Sequence, residues 1–145
     1  KIEQLVAVHS IFTSRAILGF DSFSAEENER LPPICRPIVR VHPGSKRQTL
    51  YLASHIGRII GLPVAEGRLL IRDLIEHATQ PKYIYTHHWS SGDTLLWDNR
   101  CTMHRAMPFD EGSYRRDMRR ATVIETEIAP IEGEGDFSLD ENQPS

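Results

Sequence analysis

A histidine and a group of arginines in the last third of the chain are the residues best able to do chemistry. His104 stands just past the short apolar run Thr94-Leu-Leu-Trp97. Arg115, Arg116, Arg119 and Arg120 follow it, with Arg100 and Arg105 close by. Imidazole is the commonest side-chain metal ligand, and a guanidinium presents a planar fork of donors that matches a carboxylate. In an extended segment Arg116, Met118 and Arg120 share a face, since successive side chains alternate. Arg116 and Arg120 would then lie ~13 Å apart at Cα for a rise of roughly 3.3 Å per residue. That separation suits two different anions, or opposite ends of one crowded site. Taken singly, each feature has a plainer reading: a lone His after a strand is more often hydrogen-bonded structure, and an Arg-Arg-x-x-Arg-Arg run is more often a solvated or phosphate-binding surface.

The other histidines carry weaker signals. His55 follows the run Gln48 to Ser54 and is a candidate for contact with a substrate, whereas His9 and His42 read as structural or supporting. His77 falls in the last turn of a helical segment, where it suits the helix dipole. His87 and His88 alternate across an extended run, so at most one faces a core, and neither is expected to bind a metal. Asp98 and Asn99 read as turn-formers that fix the approach to His104. Trp97, Tyr83 and Tyr85 read as core or sheet-face aromatics.

These residues need elements to position them. Residues 2 to 18 place Ile2, Leu5, Val6, Val8, Ile11 and Phe12 at mostly helical spacing and predict a helix stopped by Gly19. Residues 21 to 33 predict an exposed connection, a lid or linker. Arg36 to His42 and Gln48 to Ser54 flank Pro43-Gly-Ser-Lys-Arg47 and predict a hairpin. Val64 to Thr79 predicts an amphipathic helix with Leu69, Leu70, Leu74 and Ile75 on one stripe, ended by Gln80-Pro81. Tyr83 to Trp89 and Thr94 to Trp97, joined by Ser90-Ser-Gly-Asp93, predict a second hairpin, and Arg119 to Thr126 a last strand. Short strands joined by turns, with a helix between two hairpins, imply a mainly β fold with helices: an antiparallel sandwich or jelly roll, here in part. Residues 1–128 are expected to form the domain portion, and 129–145 an acidic flexible tail.

Composition bounds the rest. The chain has 145 residues, 39% hydrophobic and 26% charged, as expected of one ordinary globular domain. No stretch approaches the roughly 20 apolar residues of a membrane helix, and no signal peptide is legible, so the expected location is cytoplasmic. The net charge of -3 argues against a broad nucleic-acid surface. Cys35 and Cys101 match no redox or metal spacing and read as reduced bystanders. The chain opens at Lys1 inside an amphipathic pattern and without Met, which suggests a piece of a longer protein.

Trp97-Asp-Asn-Arg-x-x-x-His104 followed by Arg115-Arg-x-Met-x-Arg-Ala-Thr122 resembles the second half of the metal and cosubstrate signature of the 2,4-dichlorophenoxyacetate/taurine dioxygenases, closest to the aryloxyacetate branch. Arg40-Val-His-Pro-Gly-Ser45 and Leu50-Tyr-Leu-Ala-Ser-His55 extend the resemblance, which runs from about His9 to Ile124. It implies a jelly roll (double-stranded β-helix) whose mouth holds Fe(II) on two His and one carboxylate, with His104 as the distal His. Three protein ligands on one face leave positions for 2-oxoglutarate and dioxygen. It implies further that Arg116 pairs with the distal carboxylate of 2-oxoglutarate, that Arg120 faces an anionic small-molecule substrate, and that an aliphatic C–H is hydroxylated. An aryloxyacetate so treated would yield a phenol and glyoxylate.

One departure is plain. The family also needs a His-x-Asp or His-x-Glu, and His9, His42, His55, His77, His87, His88 and His104 are followed two positions on by Ile, Gly, Gly, Thr, Trp, Ser and Ala. The chain therefore reads as the C-terminal half of such an enzyme and as inactive by itself. The rival from another class is an anion- or nucleic-acid-binding module without catalysis, which leaves the spacing of His104 unexplained. A metal-binding jelly roll without 2-oxoglutarate is disfavoured by Arg116. Neither nucleic acid nor membrane is an expected partner, and a homo-oligomer is allowed.

Overall fold

The computed structural model describes residues 2–20 and 22–123. The chain divides into two compact units, Lys1–Met103 and His104–Ser145.

In the first unit the opening segment is turn, strand and helix where sequence periodicity predicts one helix over residues 2 to 18. Strand β1 is Val6–His9, Ser10 caps the helix by accepting from the Phe12 N–H at 3.3 Å, and α1 is Ile11–Ile17. The reason is burial on both sides: Ala7 and Val8 are both buried, and a short continuous apolar run fits a central strand as well as a helix. β1 sits in the middle of a three-stranded antiparallel sheet, between β2 (Ile34–Pro37) and β5 (Ile56–Ile59). Val6 pairs with Pro37 and His9 with Ile34 on one side, while Ala7 pairs with Ile59 and Val8 with Arg58 on the other, with an irregularity at Val8/His9.

The expected exposed connection over residues 21 to 33 contains a helix, α2 (Ala25–Arg30). Ser24 and Glu27 form a reciprocal capping box, with the Glu27 N–H donating to Ser24 Oγ at 3.1 Å and the Ser24 N–H to Glu27 Oε2 at 3.0 Å. The Ser-x-x-Glu spacing that makes this cap is legible in the sequence. The helix is exposed throughout, as the expectation of an exposed segment has it.

The first hairpin forms, with shorter arms than expected. β3 (Val39–Val41) pairs antiparallel with β4 (Gln48–Leu50), Val39 opposite Leu50 and Val41 opposite Gln48. The residues before it, Arg36 and Pro37, belong instead to β2. Between them Ile38 is wholly buried; its N–H donates to the Leu5 carbonyl at 2.9 Å and its carbonyl accepts from the Tyr51 N–H at 2.7 Å. One residue thus joins two sheets.

Helix α3 (Val64–Ala78) is as expected and packs on β5. The close approach requires Gly67, where an added Cβ would sit 3.4 Å from the Ile59 backbone nitrogen and 3.6 Å from its Cβ. Ile71 completes the core with Ala7, Ile38, Leu52, Ile56 and Ile59, and Leu70, Leu74 and Ile75 pack against it. Leu69, expected on that stripe, is instead 52% exposed. Thr79 closes the helix by donating its hydroxyl to the Ile75 carbonyl at 2.8 Å, and a 3-10 turn, Pro81–Tyr83, follows.

The second expected hairpin keeps its turn and lacks its ladder. The Asp93 N–H donates to the Ser90 carbonyl at 3.1 Å, the Ser90 N–H to the Asp93 carboxylate at 2.8 Å, and Gly92 takes φ 91. Yet no strand is formed over 83 to 97, and Tyr83, Ile84, Tyr85, Trp89 and Leu96 are exposed. Tyr83 and Tyr85 are therefore not core residues. A strand persists only with a neighbouring edge and a covered face, and the described residues offer this run neither. Likewise residues 119 to 123 form no strand, and the rest of that expected strand and the tail lie outside the described residues. The observed architecture is small antiparallel sheets with helices.

The second unit, over its described residues, is organised by Asp110. Its carboxylate accepts from the backbone N–H of Gly112 at 3.0 Å and of Ser113 at 3.2 Å, and its carbonyl from the Tyr114 N–H at 3.0 Å. Hydrogen bonds from Ser113 and Gly112 hold the Asp110 carboxyl below its usual range.

Candidate functional site

Two segments far apart in sequence meet at His42 and Asp98. After β3 the chain turns through Pro43-Gly-Ser45: the His42 N–H donates to the Arg47 carbonyl at 2.9 Å, and the Lys46 N–H to the His42 carbonyl at 2.8 Å, with Lys46 at φ 58. Within this turn His42 Nδ1 accepts from the Ser45 backbone N–H at 3.0 Å, and its Nε2 lies 3.0 Å from Asp98 Oδ2. Asp98 is gripped from the other side by Arg100. The guanidinium donates from Nε to Oδ1 at 2.9 Å and from Nη2 to Oδ2 at 2.6 Å, and the Arg100 backbone N–H reaches Oδ1 at 2.8 Å. Arg100 first, then His42, hold the Asp98 carboxyl far below the ordinary carboxylate range. The Asp98 carbonyl in turn accepts the Thr102 hydroxyl at 2.6 Å and the Thr102 N–H at 3.1 Å. Asp98 is the turn-former expected from sequence; its bond to His42 was not, since 56 residues separate the two.

Cys101 joins this cluster. Ligand atoms of His42, Asp98 and Cys101 all lie within 4.8 Å of one another, the one such group of three among the described residues. Neither cysteine forms a disulfide.

A second histidine group lies where β1 enters α1. The Ser14 hydroxyl donates to the Ile11 carbonyl at 2.9 Å, so its oxygen must accept from His55 Nδ1, 2.7 Å away. His55 is thereby oriented with Nδ1 protonated. His9 stands beside Tyr51, ring centroids 5.3 Å apart, and the Arg40 guanidinium lies over the other ring of that pair, 4.8 Å from the Tyr51 centroid. His9 Nε2 is buried without a hydrogen-bond partner. Burial, and then the nearby His55 and Arg36, push His9 down to about 4 from 6.5.

In the second unit Arg116 lies over the Phe109 ring, 5.7 Å from its centroid. Both line an open cleft of about 460 Å³ together with Glu111, Ser113, Tyr114 and Arg115. His104 and Arg120 are exposed. Because residues 114 to 123 form no strand, the shared strand face expected for Arg116, Met118 and Arg120 is not formed. Among the described residues no group of three metal-capable side chains includes His104, so the described residues do not complete a three-ligand iron site.

Comparison with known proteins gives these segments a context. Residues 1–122 match the family described as taurine catabolism dioxygenase TauD, TfdA family. The chain is 44% identical over 124 residues to an alpha-ketoglutarate-dependent 2,4-dichlorophenoxyacetate dioxygenase of Burkholderia sp. (strain RASC), covering 86% of this chain and 41% of that protein. It is 39% identical over 116 residues to an (S)-phenoxypropionate/alpha-ketoglutarate-dioxygenase of Sphingobium herbicidovorans, covering 76% of this chain and 40% of that one. Among solved structures, AAD-2 in complex with Mn(II) and N-oxalylglycine superposes with a TM-score of 0.77 at 50% identity, covering 87% of this chain and 50% of that chain. The chain thus spans about two-fifths to one-half of the length of these relatives. With the family model matched over all but the last stretch of sequence, the chain belongs to the TauD/TfdA dioxygenase family.

Proposed function

We propose that this chain is the C-terminal portion, over residues 1–128, of an Fe(II)- and 2-oxoglutarate-dependent dioxygenase that hydroxylates an aliphatic C–H of an anionic small molecule. In this reading the small sheets are part of a jelly roll, and the preferred substrate class is an aryloxyalkanoate. The observation that carries it is the family match over residues 1–122, within which the spacing of His104 and Arg116 falls. Both similar enzymes quoted above are named for aryloxy acids and alpha-ketoglutarate.

His104 would supply one imidazole to the iron, the other two ligands coming from residues this chain does not contain. Iron(II) in such a site supplies the activation of dioxygen. This chain's residues would bind and orient. Arg116 would pair through its fork with the distal carboxylate of 2-oxoglutarate; its guanidinium carbon lies 5.7 Å from the Phe109 ring centroid. Arg120 would take the anionic group of the substrate, with His55 at the mouth, its ring fixed by Ser14. Holding both reactants in register lowers the barrier by removing motion that free reactants must lose.

The test uses the full-length protein with iron(II), 2-oxoglutarate and an aryloxyacetate. Phenol and succinate should form together, and His104→Ala should abolish both. Unchanged succinate formation by His104→Ala would overturn the iron assignment, and succinate without phenol would overturn the substrate class.

A further inference from the structure

His42, Asp98 and Cys101 resemble a small metal site, but their hydrogen bonds argue for another role. The Ser45 backbone N–H can only donate, so His42 Nδ1, 3.0 Å away, must carry a lone pair. The Asp98 carboxylate, already receiving three N–H groups from Arg100, can only accept, so His42 Nε2 must carry the proton. One state meets both demands: the neutral imidazole protonated at Nε2. The imidazolium would set Nδ1–H against the Ser45 N–H at 3.0 Å, whereas with a bare Nδ1 both that N–H and the Ser45 hydroxyl, 3.1 Å away, can donate to it. A metal on Nε2 would need the opposite tautomer and would crowd the Arg100 cation.

We propose that His42 is a positioning residue, a tautomer-locked donor from the β3–β4 turn that holds the Asp98–Thr102 turn and so sets the start of the segment carrying His104. The side chain is only 13% exposed, which shields the bond from competing water. Thr102, whose N–H and hydroxyl both close on the Asp98 carbonyl, is two residues before His104 in the chain. The consequence for iron rests on the reading of His104 given above; the latch itself does not.

Three measurements separate these layers. Nitrogen-15 spectra of the 145-residue chain should show His42 with Nδ1 unprotonated and Nε2 protonated; the opposite tautomer, or a mixture, would overturn the proposal. His42→Leu should speed amide hydrogen exchange at Arg100, Cys101 and Thr102 by roughly tenfold or more, the loss expected of one hydrogen bond to a charged group. The β1 amides should be unchanged. His42→Gln, which can still donate to Asp98, should restore most of the protection. Equal exchange in all three chains would overturn the latch. In the full-length protein, iron(II) affinity should fall in His42→Leu and recover in His42→Gln. If exchange responds while iron affinity does not, the positioning role fails although the latch stands. If His104→Ala binds iron as well as wild type, it is the reading of His104 that fails.

Discussion

At the scale of single residues, the two arginines of the last segment are expected to divide their labour. Arg116 lies over Phe109 with its fork at an open cleft, whereas Arg120 has no such aromatic platform among the described contacts. Replacing Arg116 by Gln in the full-length enzyme should raise the 2-oxoglutarate requirement, while Arg120→Ala should chiefly weaken the anionic substrate. Loss of one partner from a desolvated charge pair costs on the order of 2–5 kcal/mol, so the affected constant should change roughly 30-fold or more. Steady-state titration of each reactant against both variants measures this. Equal effects on both reactants, with a shared dependence on salt, would instead favour a general anion-binding surface.

The elements carry two further expectations, both centred on β1 and its neighbours. A Cβ at Gly57 in β5 would sit 2.9 Å from Thr13 Oγ1 and 3.6 Å from its Cγ2, contacts that a short β-branched side chain cannot relieve without changing rotamer. Gly57→Ala should cost about 1 kcal/mol or more in urea unfolding, and Thr13→Ala in the same chain should recover most of it; additive costs would show that the strain lies elsewhere. His9 makes the strand sensitive to acid. Its folded value of about 4 lies below its ordinary 6.5. Above the higher value both states are neutral and His9 adds no pH dependence. As pH falls between the two, the unfolded chain takes up the proton first, so stability declines across that window and levels below it. His9→Phe, which keeps a ring beside Tyr51, should flatten the dependence of the thermal midpoint between about pH 6.5 and 4 relative to wild type. An unchanged slope would show that other groups set it.

For the whole molecule the expectation concerns completeness of the site. One imidazole without a second His and a carboxylate leaves a divalent iron largely to water. The 145-residue chain by itself should therefore convert no 2-oxoglutarate to succinate with iron(II) and dioxygen, and the full-length protein should. Succinate formed by the short chain, suppressed by a chelator, would mean that the ligands come from residues within it.

Much of the local structure was legible because it depends on neighbours in sequence. The α3 stripe, its stop at Gln80-Pro81, the Pro43-to-Arg47 hairpin turn and the Ser90-to-Asp93 turn all follow from periodicity and turn chemistry. The Ser24-x-x-Glu27 cap was legible on the same terms and marks a helix inside a segment otherwise read as a connection. What the sequence could not decide was whatever depends on distant partners. Val6 to His9 is a strand because β2 and β5 flank it, and the aromatic run from Tyr83 to Trp89 is not one because nothing pairs with it among the described residues. Hydrophobic spacing reports that a residue seeks burial, while the neighbouring edge decides the backbone that buries it. The same division holds at the site: the residue types and spacing from Trp97 to Arg116 pointed to the family, whereas the bond from His42 to Asp98, across 56 residues, exists only because the β3–β4 turn and the Asp98–Thr102 turn are brought together in space.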